Sequence, residues 1–383
     1  MVKGIFTSES VTRGHPDKVC DQIADRILDT ILRQDPSAHV ACETTVCTDR
    51  VHIFGETTTT ATVDYEAIAR GVIAEIGYTE PGRGFDADNC EIFVDLHRQS
   101  PDIARGINRR CVDADRLNAG AGDQGMMFGY ACNQTSSLMP MPIELAHTLS
   151  KRLEQVRRSG ELPFLLPDGK SQVSVEYRAG KPARISSVVI SAQHRDTIDI
   201  KDLREAVTTH IVQPTLPSNM LDGDTHIFIN PTGRFVEGGP AADSGLTGRK
   251  LMVDTYGGYA CHGGGAFSGK DASKVDRSGA YMARYMAKNI VAQGLASECE
   301  VQISYAIGLS DPMSVNVNTF GTGKITDELI CRALVESTDL RPAAIIEKFD
   351  LTSPIFSGVS CYGHFGCNAA NMPWEKTDLV LSL

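Results

Sequence analysis

The stretch GGGAFSGKDASKVD, from Gly263 to Asp276, combines a flexible bend, two cations and the start of a long helix. Three consecutive glycines leave a bend without side chains, so its backbone N–H groups can close on a ligand. Lys270 and Lys274 follow, and an apolar pattern of helical period begins at Val275. Cations and a helix N-terminus beside such a bend favour a site for a polyanion. A glycine-rich surface turn before an ordinary helix is the alternative, which this run by itself leaves open.

Part of this stretch imitates a phosphate-binding loop of the Walker type. Gly264 to Lys270 reads G-x-x-x-x-G-K, but Asp271 stands where that loop needs a Ser or Thr to bind magnesium. The preceding residues, Tyr256 to His262, do not have the pattern of a buried strand from which such a loop emerges. The sequence therefore disfavours a P-loop fold.

Length and composition are typical of a globular protein with several domains. A chain of 383 residues is too long for one ordinary core and predicts two or three domains. No run reaches the roughly 18 apolar residues of a membrane span, and Met1 to Ser10 lacks the apolar core of a signal peptide. The net charge of −11 opposes non-specific binding to nucleic acid, so we interpret cations such as Arg249, Lys250 and Lys270 as parts of a local pocket. We expect neither a membrane nor a nucleic acid as a partner.

The eleven cysteines are scattered singly, without a C-x-x-C pair. An odd number in a long chain argues against a disulfide framework. Cys42 with Cys47 and Cys361 with Cys367 are spaced too widely for zinc knuckles. We therefore expect reduced thiols and a cytoplasmic protein.

A second helix start carries an imidazole and a carboxylate. His15-Pro16-Asp17-Lys18 precedes an apolar stripe of near-helical period that runs from Val19 to about Arg33, and Pro16 fits the first helical position. Asp17 then lies at the positive end of the helix dipole. A carboxylate in this place either stabilises the first turn or ligates a metal ion next to phosphate, and the residues alone leave both uses open.

An order of helix, hairpin, helix and strand recurs along the chain. The predicted segments are 16–33, 40–48, 51–59, 64–76 and 90–96 in a first unit; 143–158, 173–177, 185–191, 203–212 and 225–229 in a second; and 275–293, 300–307, 314–319 and 328–337 in a third. The first helices start near residues 16, 143 and 275, at nearly equal spacing. This pattern predicts three similar α+β units. Glu43 and Glu56 lie in the first hairpin, where alternation makes an exposed glutamate the default.

Three connections between these segments are rich in glycine, proline or aspartate. They are QSPDIARG at 99–106, GAGDQG at 120–125 with Asp123, and the long segment from Asn230 to Lys250. Loops as long and glycine-rich as the last one are unusual unless something binds there. The first is either a mobile loop at an active site or a plain linker.

Six short motifs occur in an order known from one enzyme family. They are HPDK at 15–18 with DQI at 21–23, GAGDQG at 120–125, DGKSQV at 168–173, NPTGRF at 230–235, GLTGRK at 245–250 and GGGAFSGKD at 263–271. Together they resemble the S-adenosylmethionine synthetases, also called methionine adenosyltransferases. The resemblance runs from about Phe6 to Trp374, almost the whole chain.

The resemblance implies a fold class and an assembly. It implies an α+β chain of three similar helix-hairpin-helix-strand domains related by pseudo-threefold symmetry, at 3–101, 116–235 and 236–375. Flat sheets would form a dimer interface, with dimers or dimers of dimers sharing active sites between subunits. The segment 99–106 would be the gating loop of the family.

The resemblance also implies a reaction. The sulfur of L-methionine attacks C5′ of ATP, and the expelled tripolyphosphate is hydrolysed to phosphate and diphosphate. Two Mg²⁺ ions and one K⁺ ion per subunit would assist.

The residues implied for this reaction match positions of the quoted motifs and their surroundings. The ATP contacts would be His15, Asp168, Lys170, Arg234, Phe235, Asp243, Arg249, Lys250, Ala266 and Lys270, and four of them, His15, Lys170, Arg249 and Lys270, would act at the catalytic step. The methionine contacts would be Glu56, Gln99, Asp123, Asp243 and Lys274. Mg²⁺ would bind Asp17 and Asp276, and K⁺ would bind Glu43.

Two other functions compete with this interpretation. Another ATP-dependent phosphotransferase using Lys270 and Asp276 would release ADP and a phosphorylated product. A regulatory paralogue of the same fold would lack cations or magnesium ligands, yet His15, Asp17 and Lys170 are all present.

Overall fold

The computed structural model describes residues 4–98, 117 and 119–381. Within these ranges, none of the helices combines the length and apolarity needed to cross a membrane. The strands are β1 (Gly4–Val11), β2 (His39–Cys47), β3 (Arg50–Thr58), β4 (Glu91–His97), β5 (Gly125–Cys132), β6 (Leu165–Arg178), β7 (Lys181–His194), β8 (His226–Ile229), β9 (Gly245–Leu246), β10 (Glu298–Tyr305) and β11 (Ser314–Asn318). The α-helices of four or more residues are α1 (Pro16–Gln34), α2 (Tyr65–Ile76), α3 (Met141–Arg158), α4 (Ile200–Val207), α5 (Leu251–Asp254), α6 (Val275–Ala292), α7 (Asp327–Ser337) and α8 (Pro342–Phe349).

The first unit is built by local signals that the sequence carries. His15 caps α1 and Pro16 occupies its first position. The hairpin of β2 and β3 turns at Asp49, which has a positive φ of 53°. The side chain of Asp64 caps α2, and Gly77 ends that helix in the left-handed conformation. Strand β4 then returns parallel to β3.

The second unit repeats this order with a longer hairpin. Helix α3 leads into β6 and β7, each of 14 residues, which turn at Ala179 and Gly180 with positive φ. Helix α4 continues through a π-helical turn at Thr208–Val212, and β8 lies parallel to β7. Because the hairpin begins at Leu165, the motif DGKSQV lies inside a strand and not ahead of one.

The third unit follows the same order but ends differently. Helix α6 leads into the hairpin of β10 and β11, and α7 follows with Thr326 as its cap. Within the described residues no fourth strand joins β11, which forms the edge of a three-stranded sheet. Helix α8 comes next along the chain.

Each of the three sheets takes one strand from another unit. The first unit lends β1 to β6 of the second, where Val11 pairs with Lys170. The second lends β5 to β10 of the third, where Met127 pairs with Ile303. The third lends β9 to β2 of the first, where Thr45 pairs with Leu246. The units are therefore joined in a closed cycle of borrowed strands.

The described residues form two apolar clusters. One packs α3 and α4 against the sheet of β6 and β7. The other surrounds α1 and α6, which are buried on nearly every side, and joins the first and third units. Trp374 belongs to this larger apolar core, where it stacks on Tyr281 with ring centroids 3.8 Å apart.

The predicted α+β class and the three similar units are confirmed. The sequence patterns missed β1, β5, β9 and α8, and they shortened β6 and β7. The domain limits 3–101, 116–235 and 236–375 stay a prediction.

Candidate active site

Asp17, a buried carboxylate in the first turn of α1, lies close to two cations of the loop after β9. Lys250 Nζ lies 2.6 Å from Asp17 Oδ2, and Arg249 Nε lies 3.6 Å from Asp17 Oδ1. The Leu246 N–H also donates to Asp17 Oδ1, at 3.0 Å. Burial opposes the charge of Asp17, but the hydrogen bond and charge of Lys250 outweigh it and lower the pKa of Asp17. The carboxylate is therefore ionised and available to a cation.

The imidazole of His15 is neutral and its orientation is fixed. His15 Nδ1 accepts the Asp17 N–H at 3.2 Å, which leaves the ring proton on Nε2. Burial, followed by the charge of Lys250, lowers the pKa of His15 to about 3. His15 can thus donate a hydrogen bond from Nε2 at neutral pH, but it carries no positive charge.

The borrowed strand β1 brings the motif of β6 to this helix start. The Thr12 N–H donates to the Gly169 carbonyl at 2.9 Å, and the Thr12 hydroxyl donates to the Pro167 carbonyl at 2.7 Å. A Cβ on Gly14 would lie 2.4 Å from the Pro167 carbonyl carbon, so only glycine allows this approach. Lys170, opposite Val11, consequently belongs to the surroundings of His15 and remains exposed.

Asp168 is buried with one oxygen still free. The Gly239 N–H donates to Asp168 Oδ2 at 2.8 Å, whereas Oδ1 is buried and has no hydrogen-bond partner within the described part of the chain. Burial raises the pKa of Asp168 to about 6, although the Gly239 N–H and the charge of Lys170 lower it. Asp243 lies in the same turn, since its N–H donates to the Gly239 carbonyl at 3.1 Å. An unpaired buried acceptor of this kind is costly unless a ligand fills it.

A second cluster surrounds the start of α6. Lys270 Nζ lies 2.6 Å from Asp276 Oδ2. A Cβ on Gly265 would lie 2.2 Å from the Asp276 carboxyl carbon, so the glycine bend passes directly against this carboxylate. Lys274 forms an ion pair with buried Asp271, whose pKa is lowered because the charge of Lys274 outweighs burial.

Asp17 and Asp276 occupy the same position in their units. Each is the second residue of the helix that opens a unit, α1 or α6. Each pairs with a lysine, Lys250 or Lys270, from a glycine-containing loop. The loops meet where a Cβ on Gly248 would lie 2.4 Å from Ala266 Cβ. The protein thus presents two related cation–carboxylate pairs on touching loops.

The other predicted site residues lie around these two clusters or apart from them. Glu43 is exposed on β2, and Glu56 Oε1 on β3 lies 3.4 Å from His97 Nε2. Ala41 bridges these strands to the second cluster, because it pairs with both Glu56 and Lys270.

The remaining predictions fall on loops. Asp123 is exposed near the second cluster, since the adjacent Gly122 N–H donates to the Ser273 carbonyl at 3.3 Å. Phe235 is half-buried, and its N–H donates to His194 Nε2 at 3.1 Å. Arg234 is exposed beside it. Gln99 and the loop predicted at 99–106 lie outside the described residues.

Three family models match the chain in succession. They describe the N-terminal domain of S-adenosylmethionine synthetase over residues 3–101, the central domain over 118–235 and the C-terminal domain over 237–376. The chain belongs to the S-adenosylmethionine synthetase family. The resemblance seen in the six motifs is thereby confirmed. Synthesis of S-adenosylmethionine, with ATP and methionine as substrates, is the activity of S-adenosylmethionine synthetases.

S-adenosylmethionine synthetases use a divalent metal ion and potassium. Across the described ranges, no group of three or more His, Cys, Asp or Glu side chains could hold a metal ion by itself. Asp17 and Asp276 fit magnesium in another way, as one or two carboxylates whose remaining partners are phosphate and water. Glu43 offers a single exposed carboxylate, which fits a loosely held cation.

The sequence patterns missed three residues that shape this synthetase site. Asp21 and Asp25 accept the Gly248 and Gly269 N–H groups, each at 2.9 Å. Lys18 donates to Asp21 at 2.9 Å and also pairs with Asp254. A signal for the aspartates was present, because Asp17, Asp21 and Asp25 recur at the four-residue spacing of one helix face.

Proposed function

We propose that this synthetase transfers the adenosyl group of ATP to the sulfur of L-methionine and then hydrolyses the expelled tripolyphosphate to phosphate and diphosphate. One observation carries the proposal: Lys250 and Lys270 lie beside Asp17 and Asp276 at the starts of α1 and α6, on two loops that touch. Cations and carboxylates at helix N-termini are what a magnesium-bound polyphosphate requires.

The adenosyl-transfer step suits a site without a strong general base. A thioether attacks through a lone pair and loses no proton, so the neutral, low-pKa imidazole of His15 is not needed as a base. In-line positioning of two substrates supplies roughly 7–11 kcal/mol of the barrier. Fixed cations around the leaving group stabilise the charge that develops there.

The polyphosphate is gripped by side chains from both clusters. Lys170, Arg249, Lys250 and Lys270 contribute charged hydrogen bonds, each worth about 1.5–3 kcal/mol. His15 donates a hydrogen bond from Nε2 to the oxygen that leaves C5′. This role agrees with an imidazole whose Nδ1 is occupied by the Asp17 N–H.

The adenosine half of ATP binds near the turn at Gly239. Asp168 Oδ1, buried and without a partner among the described residues, accepts a hydrogen bond from a ribose hydroxyl. Phe235 stacks on the adenine next to Arg234, and the backbone at Ala266 contacts the nucleotide. Asp243, in the same turn as Gly239, faces both substrates.

Methionine binds on the side of the second cluster. Glu56 and Asp123 receive its amino group, and Lys274 receives its carboxylate. The pairing of Ala41 with both Glu56 and Lys270 supports this placement. Asp243 and Gln99 complete the proposed set.

Asp17 and Asp276 would each hold one of two Mg²⁺ ions, and Glu43 would help to hold one K⁺ ion. When bound, the divalent ions neutralise the phosphate oxygens and hold them in one arrangement. The chain's part is to hold both carboxylates in place, and Lys250 also keeps Asp17 ionised.

A second subunit completes each site. Exposed apolar side chains lie on the strands of all three sheets: Ile5 at 59%, Phe93 at 48%, Met126 at 50% and Phe228 at 47% exposure. A surface of this kind is typical of an interface. We propose a dimer, or a dimer of dimers, whose active sites are shared between subunits.

One assay separates this function from its competitors. The protein is incubated with ATP, methionine, Mg²⁺ and K⁺, and the sulfonium product, phosphate and diphosphate are quantified together. Equal amounts of all three products support the proposal. Formation of ADP would favour the phosphotransferase, and absence of any product would favour the regulatory paralogue.

A further inference from the structure

Four aspartates recur at every fourth position along α1: Asp17, Asp21, Asp25 and Asp29. Each is at most 1% exposed. Each accepts a backbone N–H from a residue at least 227 positions away, namely Leu246, Gly248, Gly269 or Phe356. We call this row the aspartate ladder.

The two middle aspartates hold the peptide units that precede the proposed polyphosphate cations. Gly248 donates to Asp21 Oδ1 and Gly269 donates to Asp25 Oδ1, each at 2.9 Å. Arg249 follows the first glycine and Lys270 follows the second. A single peptide unit therefore separates each aspartate contact from a cation.

Both glycines adopt a backbone conformation that other residues rarely take. Their φ angles are 78° for Gly248 and 80° for Gly269. A Cβ on Gly269 would lie 1.9 Å from the Cys42 carbonyl oxygen. Without side chains of their own, these glycines are held through backbone groups: Asp21 and Asp25 accept their N–H groups, and the Gly269 carbonyl also accepts the Cys42 N–H at 2.9 Å.

Buried cations pair with both acceptors. Lys18 Nζ lies 2.9 Å from Asp21, and Arg277 donates to both oxygens of Asp25 at 2.8 and 3.0 Å. Burying such ion pairs is costly, and neutral acceptors would satisfy the same N–H groups. A carboxylate holds an N–H group more tightly than a neutral acceptor does. The arrangement thus favours rigidity of the two loops over ease of folding.

We propose that Asp21 and Asp25 are positioning residues for the adenosyl transfer. Through Gly248 and Gly269 they hold the two cation loops at a spacing set by one turn of α1. This inference rests on the proposed function. Asp29 provides an internal comparison, because it accepts the Phe356 and Ser357 N–H groups, at 3.0 and 2.8 Å, in a segment without a proposed substrate contact.

The test compares Asp21→Asn and Asp25→Asn with the matched control Asp29→Asn. In Asp21→Asn one carbonyl oxygen must serve both the Gly248 N–H and Lys18, so the first loop loosens. In Asp25→Asn the side chain loses the charge and one of the two oxygens that bind Arg277, so the Gly269 contact weakens too. The KM for ATP and the Ki of inorganic tripolyphosphate should rise about tenfold or more. In Asp21→Asn, which loosens the loop away from the proposed methionine contacts, the KM for methionine should stay within about twofold of the wild-type value. Asp29→Asn should lose thermal stability but keep all three constants.

Equal changes in Asp25→Asn and Asp29→Asn would overturn the inference, because the ladder would then serve stability alone. If the first two variants do not fold, hydrogen exchange of the wild-type protein decides. A nonhydrolysable ATP analogue with Mg²⁺ should protect the peptides 245–250 and 266–271 more than 353–358. Equal protection of all three would refute the positioning role. A wild-type protein that forms no sulfonium product would refute the proposed function separately.

Discussion

Lys270 Nζ lies 2.6 Å from Asp276 Oδ2, and both side chains are partly open to solvent, at 26% and 17% exposure. Solvent partly screens a pair that is open to this degree, so its contribution to stability is modest. The pair therefore has little structural value, which leaves the amine free to serve a ligand.

Replacing Lys270 by alanine should abolish turnover and leave the fold intact. Loss of one charged contact to the polyphosphate costs about 1.5–3 kcal/mol in binding, and more where charge develops during the reaction. Initial rates of sulfonium formation and the thermal unfolding midpoint would be measured together. Lys181→Ala, which removes an exposed lysine at the start of β7, is the control. Near-normal activity of Lys270→Ala would show that the assignment of the polyphosphate grip is wrong.

Asp168→Asn should change stability in a pH-dependent way. The pKa of Asp168 is about 6 in the folded protein, raised by burial from a reference value of 3.8. The folded state therefore binds this proton more tightly than the unfolded chain, and the wild-type protein loses stability as the pH rises from about 4 to about 6. The side chain of the variant cannot ionise. The free energy of unfolding of the variant, relative to that of the wild type, should therefore rise by up to about 3 kcal/mol between about pH 4 and pH 6.

Urea unfolding at several pH values from 4 to 8 measures this gain. Asp224→Asn, at an exposed position, should show no such trend and is the control. ATP should bind more weakly to Asp168→Asn because the ribose contact is lost. A stability difference that does not vary with pH would contradict the burial of an ionisable Asp168.

Gly265→Ala should damage the second cluster without unfolding the protein. The added Cβ would lie 2.2 Å from the Asp276 carboxyl carbon, so the carboxylate must move away from Lys270. We expect a higher Mg²⁺ requirement and a large fall in kcat. Gly71→Ala, in the middle of α2 with nothing within 4 Å of the new Cβ, should instead stabilise the protein by about 0.5–1 kcal/mol. If Gly265→Ala had the same magnesium dependence as the wild type, Asp276 would not be a magnesium ligand.

Glu375→Gln should be strongly destabilising while sparing the chemistry. Glu375 accepts from Arg284 at 2.9 and 3.0 Å, from the Gly366 N–H at 3.0 Å and from Lys288 at 2.6 Å. Removing its charge leaves fully buried Arg284 without a partner of opposite sign, which costs about 3–5 kcal/mol. Calorimetry measures the loss, and the exposed Glu336→Gln is the control. Equal melting temperatures for the two variants would disprove the argument.

Local signals made much of the fold predictable. Pro16 and Asp64 are residue types that favour the start of a helix, and Gly77 is one that favours its end. In the structure Pro16 begins α1, Asp64 caps α2 and Gly77 ends α2. Hairpin turns at Asp49 and at Gly180 were equally visible. Sequence patterns therefore predicted the succession of helix, hairpin and helix in each unit, because each of those elements depends on residues close together in the chain.

Borrowed strands escaped prediction for the opposite reason. Strands β1, β5 and β9 are defined by partners in another unit, and β9 has only two residues. The lack of a fourth strand beside β11, within the described residues, likewise follows from no local signal. The approach of Lys170 to His15 depends on β1 pairing with β6, so only the resemblance to a family indicated it. Asp21 and Asp25 were overlooked because buried aspartates contradict the usual reading of charge as surface.

The cycle of borrowed strands also constrains how the chain is made. When the ribosome has finished β2, its partner β9 is still about 200 residues from synthesis, as the bond from Thr45 to Gly245 shows. Strand β1 must likewise wait for β6, and β5 must wait for β10. No single unit can complete its sheet alone, so truncated products end with open strand edges that invite aggregation. The sheet of β1, β6, β7 and β8 is complete once β8 has been made, whereas release of the third unit is the event that closes the other two sheets.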